Sequence, residues 1–143
     1  MSYKHILVAV DLSKSSEKVI NKAVSLAKDA NAKLSLIFVD VNNVANLRVA
    51  NLEVASLPSI EEREEQLKIE LQEFADQADY EFENVMVVMG DLKDKLATTV
   101  KKMDVDLLVC GHHHDFWSRL LSSVRKLINA VVTDFLIVYI EDE

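Results

Sequence analysis

Residues 4–41, KHILVAVDLSKSSEKVINKAVSLAKDANAKLSLIFVDV, decide the fold. The opening run, KHILVAV over 4–10, is almost continuously apolar until it meets Asp11, which is how a strand covered on both faces reads. Leu12-Ser13-Lys14-Ser15-Ser16 then offers several hydroxyls for a helix N-cap. Val19, Ile20, Ala23, Val24, Ala27 and Ala30 recur at three- and four-residue intervals, which is one apolar face of a helix. Residues 33–41, KLSLIFVDV, return to a strand pattern. Strand, helix and parallel strand make a βαβ unit, and such crossovers are right-handed.

The same alternation continues toward the C-terminus. Between 42 and 58 the period fails without a glycine or charge run, so the expectation is a loop with a helical turn. Ser59 and Glu62 have capping-box spacing, and Leu67, Leu71, Phe74 and Ala78 mark the buried face of the next helix. Residues 82–89 (FENVMVVM) predict a third strand closed by Gly90, after which Asp91 caps a short helix carrying Leu92, Leu96, Val100 and Met103. Residues 105–110 (VDLLVC) predict the fourth strand, closed by Gly111. A last helix buries Leu120, Leu121, Val124, Leu127 and Ile128, and residues 134–140 (DFLIVYI) form the fifth strand. Strands and helices in strict alternation specify one α/β domain over 1–143. We expect an open, doubly wound, five-stranded parallel sheet of order 3-2-1-4-5 with helices on both faces.

Composition bounds the function. The 143 residues are 50% hydrophobic and 28% charged, which suits a packed core. Gly90 and Gly111 are the only glycines and Pro58 the only proline, whereas a Walker phosphate loop or a dinucleotide fingerprint needs two or three glycines close together. Both nucleotide motifs are excluded. With 16 Lys and Arg against 24 Asp and Glu, net −8, and no run of more than two basic residues, nucleic acid is not an expected partner. The single Cys110 cannot form an internal disulfide, which points to a reducing compartment. The opening MSYKHILVAVDLS is too short for a membrane span and has no small-residue cleavage site, so a cytoplasmic protein without membrane contact is expected.

In a sheet of this order, ligands bind beyond the carboxyl ends of the strands where the strand order reverses. Asp11-Leu12-Ser13, Val39-Asp40-Val41 and Gly111 to Asp115 are placed there. KHILVAVDLS, VDLLVCGHH and the following GHHHDFWSRLLSSVRKLI resemble the universal stress protein family, and the resemblance covers the whole chain. Nucleotide-binding members carry Gly-x2-Gly-x9-Gly-Ser/Thr after strand 4. Gly111 fits the first position; His114 stands at the second glycine, and Val124 and Arg125 at the third glycine and hydroxyl. If the loop is two residues shorter, Ser122 and Ser123 stand there instead. Either way a backbone without those glycines cannot approach phosphates as closely. Asp11 and Val39 match the positions that face ribose and adenine. The resemblance thus implies a cytoplasmic, homodimeric stress-response protein of the branch that does not bind ATP, with neither cofactor nor enzymatic activity. The alternative is an ATP-binding switch or weak ATPase of the same fold.

Three rival chemistries are weaker. His112-His113-His114-Asp115 has zinc-ligand types, but consecutive residues on one turn diverge, so these imidazoles are read as the start of a helix. Ser13, Ser122 and Ser123 are read as caps and helix-surface residues, and Cys110 as core. Phe116 and Trp117 are read as packing on the last helix. The fifth strand completes the reading: Phe135, Leu136, Ile137, Val138, Tyr139 and Ile140 form an uninterrupted apolar run at a sheet edge, without proline or inward charge. A second copy related by a two-fold axis is the expected cover.

Overall fold

A computed structural model describes residues 2–40, 60–111 and 133–140. The elements are β1 (His5–Val10), α1 (Ser16–Ala30), β2 (Lys33–Asp40), α2 (Ile60–Gln77), β3 (Asn84–Met89), α3 (Leu92–Lys102), β4 (Leu107–Gly111) and β5 (Asp134–Val138). All strand pairs are parallel, in the order β3-β2-β1-β4-β5. The expected sheet is therefore the observed one. The helix expected between β4 and β5, and the loop expected over 42–58, lie outside the described residues.

The handedness rule explains where the helices go. Crossovers from β1 to β2 to β3 step one way and those from β3 to β4 to β5 step back, so right-handed connections must leave the sheet on opposite faces. Ile6, Val8 and Val10 of β1 pack with Val19, Ile20 and Ala23 of α1 and with Leu67 and Leu71 of α2. Their neighbours Leu7 and Ala9 pack on the other face with Leu92, Leu96 and Val100 of α3. Every residue of β1 is consequently buried, which is why it reads as a continuous run.

Helix ends depart from the sequence reading in one place and agree in another. Asp91 caps α3 as expected, its Oδ2 accepting from Asp94 N at 3.0 Å. Ser15 is the N-cap of α1 but makes no side-chain cap bond. The first amides there are taken by carbonyls three residues back: Ser16 N–H donates to Ser13 O, Glu17 N–H to Lys14 O and Lys18 N–H to Ser15 O. At the other end of α1, Asn31 adopts the left-handed conformation (φ 53) and donates to Lys28 O, while Ala32 donates to Ala27 O. That is a Schellman closure, which turns the chain directly into β2.

The amino end of the sheet is laced together by polar side chains. Asp106 accepts from the backbone N–H of Lys4 (2.9 Å) and His5 (3.0 Å), which holds it out of β4 and starts that strand at Leu107 rather than 105. The His5 Nδ1 faces Met103 O at 2.9 Å, and a carbonyl only accepts, so Nδ1 carries the proton. Ser35 Oγ then donates to Nε2 at 2.7 Å, and Asn84 Nδ2 donates to Ser35 Oγ at 3.2 Å. Tyr3 donates to Asp134 Oδ2 at 2.8 Å. The first turn of every strand is thereby tied to a polar partner.

Candidate functional site

The carboxyl ends of β1 and β4 meet at the point where strand order reverses. Asp11 follows β1 directly, and Leu12 turns the chain through a positive φ of 65. Asp11 Oδ1 accepts from Ser13 N (3.0 Å), Ser13 Oγ (2.6 Å) and Ser16 Oγ (3.1 Å). The carboxylate closes the turn over Ser13 and holds the hydroxyl of Ser16, the first residue of α1. Its negative charge also suits a helix N-terminus.

Gly111 ends β4 and pairs with Val138. A Cβ built on it would stand 2.6 Å from Ile140 Cδ1 and 2.8 Å from Val19 Cγ2. Space favours glycine here: an α1 side chain and one from beyond β5 close directly over its backbone, and either must shift for a Cβ. Ala9, Val10, Asp11 and Ser16 complete the lining, and the remaining cavity is about 10 Å³. That is room for roughly one water.

The fifth strand is shorter than the apolar run suggested. It stops at Val138, which is buried against the α1 face, and Ile140 turns inward over Gly111. Phe135 and Ile137 face the α3 side, half-buried, and Leu136 faces the α1 side. Tyr139 is 66% exposed, with Lys18 Nζ 5.9 Å from its ring centroid. Among the described residues, β5 pairs only with β4.

Val39 lies on the other face, paired with Val88 and packed in the core that includes Ile37 and Leu92. Cys110 is fully buried in the same core, and burial pushes its thiol up to about 12. That suits a structural cysteine and not a nucleophile. Ser122, Ser123, His112 to Asp115, Phe116 and Trp117 lie outside the described residues. Among the described residues, no three His, Cys, Asp or Glu side chains converge as metal ligands, and no helix is long and apolar enough to cross a membrane.

One ion pair at this end escaped the sequence reading. Asp40, 2% exposed at the end of β2, receives Arg63 Nε at 2.8 Å and Nη2 at 3.3 Å. The bond raises the Arg63 pKa further, so the guanidinium stays charged. This fork pins the first turns of α2 to the sheet. Asp40 stood among the residues placed at the carboxyl end, and Arg63 interrupts the acidic run Glu61-Glu62-Arg63-Glu64-Glu65. A lone cation in such a run, one turn into a helix beside the sheet, is a signal that the sequence reading did not use.

A parallel 3-2-1-4-5 sheet with its switch point at Asp11 and Gly111 defines a class of α/β proteins, and comparison places the chain within it. Residues 2–138 match the model of the universal stress protein family, and the chain belongs to that family. It is 47% identical to universal stress protein A of Yersinia pestis, over the whole chain and 96% of that protein. Among solved structures, a universal stress protein in complex with cAMP superposes with a TM-score of 0.64 at 25% identity, covering 97% of this chain and 98% of that one. The universal stress protein of Archaeoglobus fulgidus in complex with dAMP gives 0.59 at 18% identity, covering 99% and 100%.

Proposed function

We propose that this universal stress protein acts as a cytoplasmic homodimer, by interaction with other molecules and without turning over ATP. The observation that carries the reading is the closure over Gly111. Where a nucleotide-binding relative of this fold would bring backbone toward phosphates, Ile140 and Val19 occupy the space a single Cβ would need. The glycines that would open the following loop are His114 and Val124 in this sequence. The dimer reading is supported by Phe135, Leu136 and Ile137, half-buried apolar side chains on a strand paired on one side only among the described residues. Sedimentation at micromolar concentration should give about twice the 16.1 kDa chain mass. Ile137→Lys should shift that mass to monomer; a wild-type monomer would refute the dimer.

A second reading is nucleotide binding through the base and ribose alone. What favours it is that two proteins of this fold hold cAMP and dAMP, nucleotides with a single phosphate. Asp11 and Val39 would face the ribose and adenine. Protein purified without added nucleotide and then denatured in acid separates the readings: the first predicts no adenine absorbance in the supernatant, the second a stoichiometric amount.

A further inference from the structure

The opposite edge of the sheet carries chemistry that the crevice does not use. β3 reads NVMVVM, without charge or proline, and among the described residues it pairs only with β2. Such an edge is a template for another extended chain. Beside its amino end runs a groove of about 590 Å³ between the C-terminal half of α2 and residues 80–85. Tyr80 and Phe82 are half-buried in its floor and pack on the core. The Tyr80 hydroxyl donates to Ala32 O, so the ring is held in place before any partner arrives.

Charge selects the occupant. Glu81 and Glu83 are exposed on either side of Phe82, directly ahead of β3, and both line the groove. Asp76, Gln72 and Lys68 line the helix side, and Glu65 and Glu61 extend that exposed face along β3 in three- and four-residue steps. Carboxylates there outnumber the one ammonium. A second copy of this chain, net −8, would meet like charge. We propose that the groove beside β3 takes an extended basic segment of a partner protein, added along the strand edge with Lys or Arg at alternate positions to meet Glu81, Glu83 and Asp76. Backbone pairing supplies affinity in this mode, and side chains at alternate positions supply specificity.

A fluorescein-labelled peptide of about eight residues, alternating Lys and Val, tests this by anisotropy, with a control of the same composition whose lysines are contiguous. The alternating peptide should bind at low salt and move amide resonances of residues 80–89 most. Glu81→Lys with Glu83→Lys should weaken binding at least about tenfold, and Glu81→Gln with Glu83→Gln by a lesser factor. Both residues are exposed, so unchanged circular dichroism of the variants is expected. Equal binding of the contiguous control, less than about twofold loss in the charge-reversed variant, or no binding up to about 1 mM would each overturn the proposal.

Discussion

The two ends of the sheet are built from different chemistry. At the amino end His5, Ser35, Asn84, Asp106 and Asp134 form hydrogen bonds that cross all five strands, joining residues 28 to 101 positions apart. Among the described residues at the carboxyl end, Asp11 serves the nearest turn, Val19 and Ile140 fill space over Gly111, and the Asp40–Arg63 pair is the long-range polar tie. In an open α/β sheet the carboxyl end is where ligands are held. Here the amino end has the richer polar network, and it is committed to holding strands in register. Among the described residues, the dense polar cluster therefore marks structure, not a site.

The largest effects should come from removing a member of the amino-end network. His5→Ala leaves Ser35 and the Met103 carbonyl without their buried partner and opens a cavity. It should cost about 3–4 kcal/mol, lowering Tm by about 10 °C, with ligand behaviour unchanged. Arg63→Met removes the guanidinium fork from the buried Asp40 carboxylate. About 3 kcal/mol is expected, the low end for a broken buried pair because the Arg63 side chain is 32% exposed. Adding Asp40→Leu should recover most of it, and urea unfolding of the four variants measures the coupling.

Gly111→Ala is the sharper probe of the comparison, because it tests space alone. Its methyl must displace the far ends of Ile140 and Val19, and a loss of about 1–2 kcal/mol is expected. Ile140→Val in the same chain should restore part of it. If Gly111→Ala is neutral, the carboxyl end is not closed as described. The smallest effect concerns Cys110. With its thiol pushed up to about 12, the thiolate appears only as pH rises toward that value. At pH 8 roughly one thiol in ten thousand is ionised, so a disulfide reagent should react only after urea unfolding.

Much of this was legible in the sequence because the deciding signals are local. The unbroken KHILVAV run, the helix period from Val19 to Ala30 and the cap at Asp91 each lie within a few turns of chain. The doubly wound parallel class followed from the alternation of strands and helices. What stayed hidden depends on residues distant in sequence. His5 meets Ser35 only because β1 and β2 pair with His5 beside Lys33. Arg63 finds Asp40 across a 23-residue separation. Ile140 continues an apolar run and was therefore read as strand, yet Gly111 leaves a space that draws it inward. At the start of α1 the offered hydroxyls found other work: Ser15 makes no side-chain cap bond, and Ser13 and Ser16 donate to Asp11, which follows β1.

The central claim is that the carboxyl end is closed to ATP. Melting the protein in millimolar Mg-ATP tests it most directly, since a ligand at 100 times its Kd adds about 2.7 kcal/mol, several degrees for a domain of this size. The account predicts the same Tm with and without Mg-ATP. An upward shift of several degrees that disappears in Asp11→Ala would contradict it.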